Sequence, residues 1–453
     1  TVTNSEFHSA VNSAYGSAIF TINKYWTVEA TGRNDWSSTL PKENASYFYP
    51  SVSSSLLLSD LFPAITNNGI LSYLKIRGGW ARVGSDAGPY QLQTTYSGLT
   101  TKFNALPQYT LGNTAANAFL KPEQTTGQEG GVELSLWDDR ITLDATRYQK
   151  VTKDQILTLT TSPTSGFTGA AVNAGQMSNR GWEATMTAKV LRLSNGFQWT
   201  STINWLRNKN MVDKLAQGLT QTTIASQWSA KILAKEGYPW GVLWGPGWQR
   251  DSATGEIITS GGLPVSTGSS IILGNVNPDW TGGWNNEFRY KNWGVSTLLD
   301  ARHGGKNFSI GNWWGMYAGI LASTLDGRET DWDNPGKLVH GIDATTKKEN
   351  TIRVTAEDYG HNLYPTAEPA VFNSGFVKLR EVRLTYDVPG RSLNRFNISG
   401  LNVSLVGRNL MTWTSFPNYD PENASNAGNG AQGFDMGAMP TTRNIGLNLT
   451  ITP

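Results

Sequence analysis

The chain has 453 residues, with 37 basic and 35 acidic side chains for a formal charge of +2, so bulk charge argues for neither nucleic acid nor an anionic surface as its partner. It contains no cysteine, which excludes disulfide frameworks, thiolate metal sites and cysteine nucleophiles. No run approaches the roughly 20 apolar residues of a spanning helix, and a mean hydropathy of −0.36 fits a soluble protein and a transmembrane β-barrel equally, because barrel strands alternate apolar and polar residues.

Aromatic residues reach 11%, with 18 Trp, while charged residues are only 16%, against about 25% in soluble domains. That combination favours a barrel with aromatic girdles. In chain order, alternation predicts strands at 8–21, 24–34, 47–58, 72–83, 128–137, 140–151, 181–191, 197–207, 236–245, 248–259, 279–290, 293–303, 375–388, 399–411 and 441–452. From Trp182 to Val190 every even position is apolar and every odd one polar, the period of a strand with two different faces. Across the Ser194-Asn195-Gly196 turn, Phe197, Trp199, Ile203 and Trp205 continue one apolar face opposite Gln198, Thr200, Thr202 and Asn204, so the pair reads as a hairpin. The same grammar recurs in Val132, Leu134 and Leu136, in Leu401, Val403 and Leu405, and in Ile445, Leu447, Leu449 and Ile451. No sustained helical period appears.

Short connections alternate with long ones at 84–127, 152–180, 208–235, 304–374 and 412–440. An outer-membrane barrel has short periplasmic turns and long extracellular loops, whereas long structureless loops count against a compact soluble domain. The expected fold class is therefore all-β, an antiparallel transmembrane β-barrel, with one domain over 1–453 holding about fifteen strands. The N-terminus, Thr1-Val2-Thr3-Asn4, has neither a charged n-region nor an apolar h-region, so no signal peptide is expected within this sequence.

Several runs carry a family resemblance. Ala30-Thr31-Gly32-Arg33-Asn34-Asp35-Trp36-Ser37-Ser38, followed by Tyr49-Pro50-Ser51-Val52-Ser53, resembles the barrel signature of SusC/RagA-type TonB-dependent outer-membrane transporters. Further similar stretches follow in order: Leu74 to Ala81, Leu120 to Glu123, Asn173 to Glu183, Gly274 to Trp280, Phe376 to Val382, Gly407 to Leu410 and Asp420 to Glu422. The resemblance implies the C-terminal portion of a 22-stranded TonB-dependent receptor barrel, with the plug domain absent from this sequence. It implies TonB-dependent import of a glycan or oligopeptide across the cell outer membrane, with a SusD-like lipoprotein as lid. TonB-ExbB-ExbD would act through the missing plug region, and the barrel wall would meet lipid and lipopolysaccharide. Alternatives are a non-transporting structural or binding β-protein of a cell-surface assembly and a siderophore-type TonB-dependent receptor. Substrate identity is not legible, since loops vary fastest on such scaffolds.

The Arg33 to Ser38 cluster reads first as a loop-shaping network, since Asn, Asp and Ser supply turn hydrogen bonds, and second as a substrate contact. Lys121-Pro122-Glu123 reads as a strand start. His8, His303, His340 and His361 lack metal-ligand spacing. Asp326, Glu329, Asp331 and Asp333 offer hard oxygen ligands for calcium but lack an EF-hand order, so a solvated loop is the preferred reading and no cofactor is expected. Gly245-Pro246-Gly247 and the run from Asn426 to Gly430 do not join strand to helix, so no phosphate cradle follows. No nucleophile elbow or other catalytic constellation is present, and the chain is not expected to be an enzyme. The substrate-binding candidates are loop aromatics: Trp313, Trp314, Tyr317 and Trp332 in 304–374, and Trp413, Phe416 and Tyr419 at the last long connection. Rings of this kind stack on sugars or peptide side chains, and for any one of them interfacial anchoring or packing is the stronger alternative.

Overall fold

The computed structural model describes residues 6–216, 218–328, 335–393, 398–422 and 432–452. Long strands dominate: β1 (Val11–Ile22), β2 (Trp26–Ser37), β3 (Ser46–Leu57), β4 (Leu71–Ser85), β5 (Glu123–Leu136), β6 (Ile141–Lys153), β7 (Gln176–Arg192), β8 (Phe197–Lys214), β9 (Trp280–Tyr290), β10 (Trp293–His303), β11 (Phe376–Asp387), β12 (Gly400–Thr414) and β13 (Asn444–Thr452). They follow one another in chain order through a thirteen-stranded sheet. The chain is an antiparallel β-barrel chain with little helix.

Connections alternate between the two ends of the strands, though not strictly in length, since 58–70 is longer than 38–45. Turns at 23–25, 58–70, 137–140, 193–196, 291–292 and 388–399 sit at one end of the strands, and the connections 38–45, 86–122, 154–175, 215–279, 304–375 and 415–443 sit at the other. The longest of these carry structure of their own, which the alternation of the wall does not predict.

Thirteen strands replace the expected fifteen because the predicted pair 236–245 and 248–259 lies outside the wall. Val242–Trp248 pairs instead with Ser266–Asn275 and with Lys231 to Leu233 in a smaller sheet of the 215–279 connection. Most of that segment is buried, Val242, Leu243 and Trp248 included, and Pro246 lies within it. Apolar residues buried on both faces of a short strand mark a packed sheet, not a lipid-facing one.

Two compact units divide the chain. The first comprises residues 1–190, 202–222 and 235–238, and the second 191–201, 223–234 and 239–453. In the first, wall strands present apolar side chains outward: Val52, Ile76, Trp80, Trp182, Met186, Ile203 and Trp205 are all exposed. Their other face holds polar ladders. Arg77 bridges Glu133 at 2.6 Å and Asp144 at 2.7 Å, and it also donates to the Thr146 hydroxyl at 2.6 Å. A side chain on the inward face of one strand thus finds partners two strands away, which the period of two dictates.

The second unit repeats the wall pattern, with Val295, Leu384, Leu405 and Leu447 exposed on the outward face. Here the ladder is interrupted by a bulge in β11. Leu299 pairs with Leu379 and Leu298 with Glu381, so Arg380 has no opposite number. The extra residue lets two consecutive charged side chains engage partners. Arg380 binds Asp300, and Glu381 binds Arg383 at 3.1 Å and Arg408 at 2.8 Å.

The same unit also contains a conventional core inside its long connections. Ile232, Leu243, Phe308, Ile310, Trp313, Ala367, Ala370 and Phe434 are buried together, and Phe308 and Phe434 meet edge to face at 6.1 Å.

Candidate functional site

In the second unit, two short helices position the densest aromatic group. Helix α1 (Ile310–Tyr317) begins at Ser309, whose hydroxyl accepts from the Asn312 N–H at 3.1 Å and donates to Asp435 at 2.6 Å. Helix α2 (Ala356–Asn362) is capped by Thr355, which accepts from the Asp358 N–H at 3.0 Å, and Glu357 and Asp358 lie in its first turn. The helices meet closely at Gly360, where a Cβ would lie 2.9 Å from the Met316 carbonyl oxygen. Only glycine permits that approach.

The approach brings His361 against Tyr317, with ring centroids 4.5 Å apart. Tyr317 is 5.4 Å from Trp314, and Trp314 is 5.2 Å from Trp313. Trp313 is the anchor: it is 1% exposed, and its indole N–H donates to the Leu363 carbonyl at 3.2 Å. Trp228 packs edge-on against Trp313 at 6.4 Å and Trp314 at 6.0 Å, and Tyr364 lies 5.5 Å from Trp313. Around the buried Trp313, the rings of Trp228, Trp314 and Tyr364 remain 51%, 38% and 54% exposed. A rigid ring under three half-open ones is a stacking surface already ordered before any ligand arrives.

The candidates read from the sequence divide accordingly. Trp313, Trp314 and Tyr317 come together, with Trp313 serving as packing beneath the others. Trp332 lies outside the described residues, as do Glu329, Asp331 and Asp333 of the acidic group, while Asp326 pairs with Lys337. Phe416 is buried against Phe372 at 5.8 Å. Tyr419 lies over Gly311, where a Cβ would come within 2.7 Å of its ring. Trp413 stands exposed on the outward face of β12 opposite Val377, the position of an interfacial anchor.

Sequence reasoning missed Trp228, His361 and Tyr364. Trp228 occupies the left-handed backbone region at φ 49°, between the short strands Gln221–Gln227 and Ala230–Lys235. No Asn or Gly announces that turn, so the hairpin signal is absent.

A second arrangement joins two motifs that lie about forty residues apart. The Lys378 ammonium, 1% exposed, binds Asp420 at 2.6 Å and Glu422 at 2.8 Å, and Arg380 reaches Glu422 at 2.5 Å. Burial works to raise the Asp420 carboxyl, but the bond from Lys378, the Glu422 N–H and the Thr441 hydroxyl outweigh it and hold the group below the usual carboxylate range. Glu422 is likewise held low against burial, by Arg380 and Lys378. These contacts tie the 415–443 connection to the end of β11.

In the first unit, the Arg33 to Ser38 run is also a tie. Arg33 binds Asp35 at 2.7 Å and the Ser13 hydroxyl at 3.0 Å, while the Tyr49 hydroxyl donates to Asp35. Ser37 and Thr39 donate to Asp86 at 2.5 and 3.1 Å. Glu123 opens β5 and accepts from the Ile156 N–H at 2.7 Å. No group of three or more metal-ligating side chains occurs among the described residues.

A family model described as TonB dependent receptor-like, beta-barrel, matches residues 1–313. The chain is 24% identical to TonB-dependent receptor P26 of Formosa agariphila, over 98% of this chain and 46% of the relative. It is 25% identical to TonB-dependent receptor P3 of the same organism, over 96% of this chain and 45% of the relative. Among solved structures it is similar to the RagAB peptide transporter, with a TM-score of 0.77 at 18% identity, over 98% of this chain and 48% of that one. The RagAB peptide importer in its open-open state aligns with a TM-score of 0.76 at 19% identity, over 98% of this chain and 47% of that one. The chain thus spans a little under half the length of these relatives.

Proposed function

The chain belongs to the TonB-dependent receptor-like β-barrel family of the outer membrane, and from that premise we propose that it supplies wall and outer loops to an energised importer of glycans or oligopeptides. The observation that carries this reading is the aromatic surface of Trp228, Trp314, Tyr317 and Tyr364 over buried Trp313, at the long-loop end of the strands. Flat rings accept the apolar faces of sugars and the side chains of peptides, and the exposed His361 beside them adds a polar handle. No bond chemistry is asked of the chain. A SusD-like lipoprotein closes over this surface, and TonB acting elsewhere in the receptor draws the ligand inward. RagAB is a peptide transporter, and peptides are one of the two substrate classes that suit such rings.

The test replaces Trp228, Trp314 and Tyr364 together with alanine in the full-length receptor and measures uptake of labelled oligosaccharide and oligopeptide pools by cells. Stacking contributes about 0.5–1.5 kcal/mol per ring beyond buried area, so uptake at limiting substrate falls by roughly tenfold or more, with heat-modifiable migration unchanged. Undiminished uptake of both pools by a correctly assembled triple variant would defeat the proposal.

A further inference from the structure

We propose that the outward face of β6, β7 and β8 holds the phosphate groups of outer-leaflet lipopolysaccharide. Arg147, Arg180, Arg207 and Lys209, with Trp182 and Gly181, line one surface depression of about 190 Å³. Trp182 lies opposite Arg147 in the ladder and Arg180 opposite Gln149, so alternation puts Arg147, Arg180 and Trp182 on the same face. On β8 the odd positions Ile203, Trp205, Arg207 and Lys209 share the outward face, and all four are exposed.

The position of the cluster along the strands is the telling feature. Starting from the short turns, the outward face reads Ile141, Leu143 and Ala145 on β6, then Arg147. It reads Val190, Ala188, Met186, Ala184 and Trp182 on β7, then Arg180, and Ile203 and Trp205 on β8, then Arg207 and Lys209. The apolar run ends at Trp182 on β7, at Trp205 on β8 and at Ala145 on β6, and the cations begin just above, toward the long connections. In this family that end faces outward, so the cluster lies where hydrocarbon gives way to the headgroups of the outer leaflet. Arg147 lies over the Trp182 ring at 5.2 Å, its charge carried up along an apolar surface.

None of the four cations is paired with a carboxylate among the described residues. Asp144 of β6 lies on the other face, engaged by Arg77. Asp213, further along β8, accepts from Ser178 at 2.9 Å and Gln176 at 3.3 Å. Arg33 and Arg77 of the same unit, by contrast, are neutralised in short ion pairs. Four unneutralised cations at the edge of a hydrocarbon layer call for an anion supplied from outside the protein. Guanidinium forks match phosphate oxygens in pairs. The anchored phosphates of a lipopolysaccharide present them at that depth without cost in translational freedom from the aqueous phase.

The experiment uses the full-length receptor, intact and as a variant combining Arg147→Gln, Arg180→Gln, Arg207→Gln and Lys209→Gln. Both are reconstituted into phosphatidylcholine nanodiscs containing lipid A or enzymatically dephosphorylated lipid A. The lipid A retained per receptor after detergent extraction and washing is measured by mass spectrometry. Retention by the intact receptor should exceed that of the variant by about tenfold or more, and dephosphorylated lipid should be held only at the variant's level. A double variant of Arg180→Gln and Arg207→Gln, with heat-modifiable migration checked, covers the case in which the fourfold change impairs assembly. Equal retention by intact and assembled variant receptors overturns the proposal. So does equal retention of the dephosphorylated lipid, and so does complete displacement by millimolar inorganic phosphate, which would mark a free-anion site instead. Substrate uptake is not the readout, so the outcome is independent of the importer reading.

Discussion

The strand wall and the body built from the long connections obey opposite burial rules within one chain. On the wall, Leu405 is 50% exposed and is flanked in the ladder by the exposed Leu384 and Leu447, while Arg, Glu and Asp meet on the other face. In the connection body, Phe308 and Phe434 are fully buried among Ile232, Leu243, Ile310 and Trp313. The difference teaches that hydrophobicity alone does not say where a residue of this protein belongs. The solvent on its far side does: hydrocarbon for the wall, water for the loops.

Breaking the core of the connection body should have the largest effect. Phe434→Ala removes a ring packed against Phe308 and is expected to cost about 3–5 kcal/mol in that region. The expected outcome is rapid proteolysis within 304–443 while the barrel still migrates in its heat-modifiable form. Similar in size is the loss of the buried Lys378 ammonium. Lys378→Ala strands Asp420 without its principal partner and should cost about 3–5 kcal/mol, read as freed proteolysis of the 415–443 connection.

The same tie gives a pH dependence. The folded pKa values of Asp420 and Glu422 lie below those of an unfolded chain, which are about 3.9 and 4.3. Their stabilisation is therefore fully present above that range and is lost as pH falls through the lower folded values. Protection of the connection should be unchanged from pH 7 to 5 and decline only below about pH 4; a decline already at pH 6 would contradict the assignment.

On the wall it is an added charge, not a lost ring or a lost ion pair, that destabilises. Leu405→Arg, within β12 (Gly400–Thr414), places a charge on the lipid face and should cost up to about 2–4 kcal/mol in urea unfolding from bilayers. A polar substitution at an exposed loop position of the second unit should be nearly silent. Smallest is Trp228→Ala, whose effect on stability should stay within about 0.5 kcal/mol by thermal unfolding because half of the ring already faces water. Its effect should appear in uptake. A large loss of stability would reassign the exposed rings from ligand contact to packing.

The wall was the more legible region. Alternation located thirteen strands, most of them to within a few residues at each end, because one face of every strand meets a different medium from the other. Failure came at the pair 236–259, where Val242, Leu243 and Trp248 pack in a small sheet buried on both sides. The bulge in β11 is visible in retrospect: the apolar phase slips between Leu379 and Val382. Of the candidate aromatics, Trp313, Trp314 and Tyr317 could be found because they are neighbours on one short helix. Trp228 and Tyr364 reach them from 85 residues upstream of Trp313 and 47 residues downstream of Tyr317, and nothing local encodes either distance.

What the sequence by itself determined is the barrel class, the alternation of short and long connections, and the family, since these depend on period, local turn chemistry and ordered motifs. What only the tertiary structure decided is which loop residues share a surface. It joined Lys378 and Arg380 to Asp420 and Glu422, set Trp228 on Trp313 and Trp314, and gathered Arg147, Arg180, Arg207 and Lys209 from three strands. Each of these depends on register and on folded connections, which bring distant residues together through packing that no local pattern records.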